Sequence, residues 1–323
     1  MGMKESKAMG PRLQQPLPIR DGLNPSRVKV TEPGWTAQAF IQHLIDTQRW
    51  QAPNDDVAQR FHAGEVRDDH GREITPNEEL PVGKDIWFYR TPAPETPVPY
   101  TIDHIYEDDN ILVVNKPPFL ATFPRAAHIT ETVLVRLRRQ TGNNELSPAH
   151  RLDRLTSGVL LLTKRREVRG AFQTMFADRT PRKIYHAIAP HKPELNITPG
   201  TTWRSRLEKT HGELQTRVIP NGEPNAITEI QHIQPLPTTP NQQPLARYTL
   251  APHTGKTHQL RVHMWQAGIP IIGDPVYPTL HPYTDSFDTP LALLAKELYF
   301  QDPLTGQPRH FTSPIDVESL VRP

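Results

Sequence analysis

The sequence predicts an α+β protein, a large domain preceded by a small one. Three observations carry that prediction. Runs that read as strands outnumber the helical segments, and the two do not alternate in the regular way of a βαβ array. One run, Val159-Leu160-Leu161-Leu162, follows a Thr156-Ser157-Gly158 turn and is apolar at every position, as a strand buried on both faces must be. At 323 residues, 36% hydrophobic and 22% charged, the chain is too long for one small core and has an ordinary globular composition.

Taken in order, residues 1–22 are polar and proline-rich without periodicity and are expected to form a mobile tail. Between Pro33 and Trp50, Phe40, Ile41, Leu44 and Ile45 recur at helical spacing and give one apolar face. Gly64-Glu65-Val66 and the strand-like Ile86-Trp87-Phe88-Tyr89 then complete a helix-and-hairpin domain over residues 23–90. Residues 91–99, Thr-Pro-Ala-Pro-Glu-Thr-Pro-Val-Pro, read as a stiff linker, and residues 100–323 as the large domain. Within it, Ile111-Leu112-Val113-Val114 is a buried strand stopped by Pro117 and Pro118. Thr130 is the expected cap of a helix with Val133, Leu134 and Leu137 inside and Arg136, Arg138 and Arg139 outside. A second helix buries Ala171, Phe172, Met175 and Phe176, and Lys183 to Ile188 alternates like a strand. Further strands are expected at 226–233 and 246–251, and a helix at 257–267.

Several classes of function are excluded. No window approaches the roughly 18 consecutive apolar residues of a membrane span. The N-terminal ten residues lack the apolar core of a signal peptide. The absence of cysteine rules out a disulfide scaffold, a thiolate metal site and a thiol nucleophile. A cytoplasmic protein is the simplest expectation. The net charge of +2 conceals an asymmetry: residues 1–110 hold 12 Lys/Arg against 18 Asp/Glu, while residues 123–183 hold 13 against 5. A local basic excess suits a polyanionic substrate held by its phosphates.

That basic zone surrounds His150-Arg151-Leu152-Asp153-Arg154-Leu155-Thr156-Ser157-Gly158, which places a lone carboxylate between two arginines at the entrance to the apolar strand. A carboxylate there is fixed by a rigid element yet open to a cleft, a common placement for a catalytic group. The competing reading is a surface salt bridge beside a core strand. The second informative stretch is His253-Thr254-Gly255-Lys256-Thr257-His258-Gln259-Leu260-Arg261-Val262-His263, with Gly273-Asp274-Pro275-Val276-Tyr277 beyond it. Gly255-Lys256-Thr257 is not a phosphate-binding P-loop, because Leu250 stands where that motif requires glycine. Nor do His253, His258 and His263 form a metal set, since a spacing of five turns successive side chains away from one another. What remains is a Thr-capped helix presenting His258, Arg261 and Lys256 from one end.

Together these stretches resemble the RluA-type pseudouridine synthases. The resemblance rests on His-Arg-Leu-Asp-x-x-Thr-Ser-Gly-x-Leu-Leu-Leu-x-Lys at 150–164, Asn115-Lys116-Pro117, Lys183-x-Tyr185, the 253–263 stretch and Gly273-Asp274, covering roughly residues 100–315. It implies the pseudouridine synthase fold, with a mixed, largely antiparallel central sheet flanked by helices. It also implies an activity that isomerises uridine in ribosomal or transfer RNA. Asp153 would be the nucleophile, Arg261 its cationic partner, Tyr185 the ring stacked on the flipped base, and Arg151 the side chain filling the vacated stack. With Arg151, the cations Arg154, Lys183, Lys256 and His258 are the candidate RNA contacts. Exchanging a C–N for a C–C glycosidic bond calls for no metal, nucleotide or redox cofactor, and a monomer is expected. Residues 23–90 resemble a small RNA-binding module of a ribosomal small-subunit protein. Alternatives are a non-catalytic RNA-binding protein on this scaffold and a hydrolase using Asp153 as general base. The chain departs from the family pattern at Pro118 to Pro124 and at Leu293-Leu294-Ala295.

Overall fold

A computed structural model describes residues 15–47, 56–125, 127–237, 243–281 and 286–321. The chain divides into two compact units, Met1–Glu95 and Thr96–Pro323, so the division falls inside the proline-rich segment. Val98, in the second half of that segment, is buried in the core of the second unit. Among the described residues no helix is long and apolar enough to cross a membrane.

The first unit contains β1 (Ser26–Lys29), β2 (Trp35–Thr36), α1 (Ala37–Thr47), α2 (Val57–His62), β3 (Val66–Asp68), β4 (Glu79–Leu80) and β5 (Asp85–Phe88). Helix α1 buries Phe40, Ile41, Leu44 and Ile45, the stripe that the spacing predicts, together with Ala37, against Val66, Ile86 and Phe88. Residues 48–50 of the expected helix lie outside the described residues. So do residues 1–14 of the expected tail. Residues 15–22 are packed rather than free: Leu17 is buried, and the Pro18 carbonyl accepts the Tyr89 hydroxyl at 2.8 Å.

The second unit is built on a ten-stranded sheet. Its elements are β6 (Asp103–Glu107), β7 (Ile111–Lys116), α3 (Val133–Thr141), β8 (Ser147–Pro148), β9 (Ser157–Thr163), α4 (Arg166–Ala177), β10 (Arg182–Pro190), β11 (Thr202–Ser205), β12 (Leu207–Glu208), β13 (Arg217–Val218), β14 (Ala226–Pro235), β15 (Leu245–Pro252), α5 (Gln259–Gln266), β16 (Leu293–Gln301) and β17 (Pro308–Thr312). The sheet runs β11-β14-β15-β10-β16-β9-β7-β6, with β17 on β16 and β8 on β9. Pairing is antiparallel except between β9 and β16, where Ser157 and Gly158 run parallel to Leu294 and Ala295. The mixed α+β architecture is therefore the one expected.

Alternation explains why β7 and β9 carry no polar face. Leu112, Val114, Leu160 and Leu162 point into one core with Val133, Leu134 and Leu137 of α3 and Leu260 and Met264 of α5. Their neighbours Ile111, Val113, Val159 and Leu161 point the other way, onto Val168, Phe172 and Met175 of α4. A central strand with helices on both faces has no side that can stay polar.

Two local expectations at α3 are corrected. Its cap is Thr132, whose hydroxyl accepts the Val135 amide at 3.2 Å, not Thr130. Arg138 is buried rather than exposed, and its guanidinium donates to the Leu146 carbonyl at 3.0 Å. An arginine can lie on the core side of a helix when a backbone acceptor waits for it.

Candidate active site

Asp153 sits on a loop whose peptide groups are clamped on both sides. Before it, the buried Thr122 hydroxyl accepts the Leu152 amide at 3.1 Å and donates to the Leu152 carbonyl at 2.8 Å. After it, the Arg154 carbonyl accepts Lys116 Nζ at 3.0 Å. Lys116, at the end of β7, is fully buried and also donates to the carbonyls of Pro117 and Leu120, each at 2.8 Å. Burial pulls its pKa well below the usual lysine range, with the Asp153 charge acting in the opposite direction. Three acceptors match the three hydrogens of an ammonium, so the geometry holds the charged form.

The turn lies earlier than the sequence suggests, at Arg154 and Leu155 rather than Thr156 to Gly158. The Thr156 amide donates to the Asp153 carbonyl at 3.1 Å, and Ser157 and Gly158 already belong to β9. Gly158 is required for a different reason. Its φ is +114°, and a Cβ built there would stand 2.2 Å from the Ala295 carbonyl oxygen. Only a residue without a side chain lets β9 approach β16 so closely.

Ala295 links two parts of the site, because it pairs with Gly158 on one side and with Tyr185 of β10 on the other. The β10 register shifts between Ile184 and Tyr185 at that point. A bulge of this kind re-aims a side chain, and Tyr185 faces the cleft. Burial, and then the Asp153 charge, push the Tyr185 phenol up, so it is a neutral ring at physiological pH. Beside it, Lys183 is pulled down by burial and by Arg179. His150 stacks on Phe176 with ring centroids 4.4 Å apart and accepts the Leu161 amide through Nε2 at 3.1 Å. Burial, with Lys183 nearby, lowers its pKa to about 3.

The third wall comes from the loop ahead of α5. Gln259 fixes it: its side-chain oxygen accepts the Thr254 hydroxyl at 2.7 Å and the Lys256 amide at 3.1 Å, and its amide nitrogen donates to the Ile227 carbonyl at 2.9 Å. The helix spans Gln259–Gln266 and is not Thr-capped; His258 occupies the cap position at φ +57° without a side-chain cap bond. His253, His258 and His263 turn to separate partners, Glu229, Tyr277 and Thr228.

Arg261 makes a bidentate pair, donating Nε to Asp274 Oδ2 at 2.8 Å and Nη2 to Asp274 Oδ1 at 2.6 Å, with both side chains buried. This corrects the expected direct pairing with Asp153, which makes no salt bridge to any of the described residues. Arg261 still lines the same cleft. Burial opposes its charge, yet Asp274, and then the field of Asp153, hold its pKa above the ordinary arginine value. Asp274 therefore holds and aims the charged guanidinium, while Asp153 itself makes no salt bridge among the described residues. Sequence reasoning noted Gly273-Asp274 without giving the carboxylate a role; its signal was an acidic residue following a buried cation's motif.

These three walls enclose a cleft of about 370 Å3. It gathers Asp153, Tyr185, Arg261, Arg151, Lys183, Lys256 and His258 from segments far apart in sequence. Arg151 is exposed, with its guanidinium 5.6 Å from the centre of the Phe123 ring. Arg154 is the exception among the sequence-selected residues. It is absent from the lining, and its guanidinium turns to the Phe119 carbonyl at 3.3 Å.

Comparison with known proteins shows the family. Residues 110–266 match the RNA pseudouridylate synthase family. The dual-specificity RNA pseudouridine synthase RluA of Haemophilus influenzae is 31% identical over 231 residues, covering 68% of this chain and 94% of that protein. The ribosomal large subunit pseudouridine synthase D of Neisseria meningitidis is 30% identical over 266 residues, covering 74% of this chain; the matched region spans 66% of the relative's length. Among solved structures, human RNA pseudouridylate synthase domain containing 1 shares the fold, with a TM-score of 0.53 at 22% identity over 68% of this chain and 86% of that one. The chain belongs to the RNA pseudouridine synthases of the RluA type.

Proposed function

We propose that the protein isomerises specific uridines of ribosomal or transfer RNA to pseudouridine, with Asp153 as nucleophile. The observation that carries this reading is the convergence of Asp153, Tyr185 and Arg261 on one cleft rimmed by Arg151, Lys183 and Lys256. The reaction balances without any added group: the N1–C1′ bond breaks, C5–C1′ forms, C5 loses a proton and N1 gains one. Asp153 Oδ supplies the electron pair, and Arg261 keeps the carboxylate in a positive field. Tyr185 offers a neutral ring for stacking the extruded base, which costs a few kcal/mol to flip from a helix and less from a loop. Arg151 stands at the cleft edge, where it can fill the gap left in the stack. The RNA itself is the partner, the chain acts as a monomer, and its place of action is the cytoplasm.

Asp153→Asn tests the assignment. It is expected to abolish pseudouridine formation on ribosomal and transfer RNA while leaving melting temperature and RNA affinity nearly unchanged. Activity at the wild-type level in that variant would remove Asp153 from the mechanism.

A further inference from the structure

Resting on the isomerase reading above, we infer that His258 is a further catalytic residue, a neutral imidazole that donates its Nε2–H to a carbonyl oxygen of the departing uracil. The geometry starts behind the cleft wall. The Thr216 amide donates to the Tyr277 hydroxyl oxygen at 2.6 Å. That hydroxyl lies 3.1 Å from His258 Nδ1, which accepts its proton in the Nε2–H tautomer and donates to it in the other, and 3.4 Å from the Thr216 carbonyl, which also accepts it. The shorter contact is to the imidazole. With Nδ1 accepting, a neutral ring must carry its proton on Nε2. Tyr277 itself is buried and is absent from the cleft lining, whereas His258 belongs to it. Nε2 has no partner among the described residues and is not among the buried polar atoms lacking one, so it is accessible, on a residue that lines the cleft.

Two further features fit a functional imidazole. His258 holds a left-handed backbone conformation at φ +57°, a strained state for a residue of this kind that persists where the surroundings enforce it. The groups that act on the ring are Arg261, Asp153, Lys209 and Asp274, and burial with the Arg261 cation lowers its pKa to about 4. The ring is thus a donor without a charge. When N1–C1′ breaks, the bonding pair passes to the uracil and spreads over N1 and the carbonyl oxygens. A fixed donor is worth most where charge of this kind develops. A second cation beside Arg261 would repel it, and a neutral imidazole avoids that conflict while still donating.

The test uses the full chain and unmodified ribosomal and transfer RNA transcripts labelled with tritium at uridine C5, read as tritium release in a single turnover. His258→Phe is expected to slow release about 10²- to 10³-fold, read with enzyme in saturating excess so that a change in RNA affinity does not enter the rate. His258→Gln can place an amide N–H near the Nε2 position and is expected to recover part of that loss. Tyr277→Phe, which leaves the tautomer unset, is expected to slow the reaction as well. Nitrogen NMR of the wild-type imidazole should show a neutral, Nε2-protonated ring near neutral pH. A wild-type rate in the Phe variant, a Gln variant no better than Phe, or an Nδ1-protonated ring would each overturn the inference. The NMR reading stands even where a variant fails to fold. A wild type that releases no tritium from any transcript refutes the isomerase reading itself.

Discussion

Gly158→Ala puts the assembly of the site to its most direct test. The added Cβ would lie 2.2 Å from the Ala295 carbonyl oxygen, 2.7 Å from its nitrogen and 2.8 Å from its carbonyl carbon. Carbon–oxygen contacts close to about 3.3 Å at best, so β9 and β16 must separate by roughly 1 Å at their parallel ladder. A residue with a side chain at φ +114° adds backbone strain of about 1–3 kcal/mol. Overpacking adds about 1–3 kcal/mol more. The sum, on the order of 4 kcal/mol, corresponds to a fall of about 8–16 °C in Tm for a unit of this size. Because Ala295 also pairs with Tyr185, the displacement reaches both Tyr185 and the Asp153 loop. Tritium release should therefore drop by more than the unfolded fraction explains. Calorimetry and a single-turnover assay at a temperature where the variant is folded separate the two effects. An unchanged melting temperature and rate would refute the close-approach argument.

Other perturbations follow from the same geometry. Asp274→Asn leaves the buried Arg261 charge uncompensated and should cost about 3–5 kcal/mol in urea unfolding; an unchanged midpoint would show that Asp274 is not its counter-ion. Acid should destabilise the fold through its histidines. His150 is held at about 3, and His258 and His263 at about 4, all by burial first, against an ordinary value of 6.5. The unfolded chain protonates these rings below pH 6.5 while the folded one excludes the protons until the lower values are reached. Stability is thus flat at neutral pH and declines from 6.5 downward, with about three protons taken up on unfolding near pH 5. A melting temperature that does not fall over that interval would contradict the buried, neutral assignment.

Much of the second unit was legible in the sequence because two of its central strands, β7 and β9, carry runs that are apolar at every position. Residues 111–114 and 159–162 had no other way to be satisfied than between two layers of helices. The cleft residues were legible because two long motifs bring Asp153 and Arg261 with recognisable neighbours. What escaped depends on contacts between distant segments. Thr132 rather than Thr130 caps α3 because the chain entering it is already fixed, the Val133 amide donating to the Ala121 carbonyl at 2.8 Å. Arg138 turns inward for the Leu146 carbonyl, an acceptor that helical spacing cannot reveal. Gly158 reads as a turn residue until Ala295 is seen against it. The Asp274 partner of Arg261 and the Tyr277 partner of His258 are likewise set by the fold rather than by proximity in the chain.

The parallel ladder between β9 and β16 has a consequence for how the protein is made. It joins Ser157 and Gly158 to Leu294 and Ala295, so the seat of Asp153 is incomplete until residue 295 has left the ribosome, about 140 residues after Asp153 itself. Pairings this far apart in sequence form late, after the loop-closure entropy of everything between has been overcome. An emerging chain therefore exposes its basic Asp153 segment well before that segment has a pocket to belong to. Truncation ahead of Leu293 should leave a protein that retains affinity for polyanions but has no catalytic centre, and folding of the site should be the slowest step the chain undertakes.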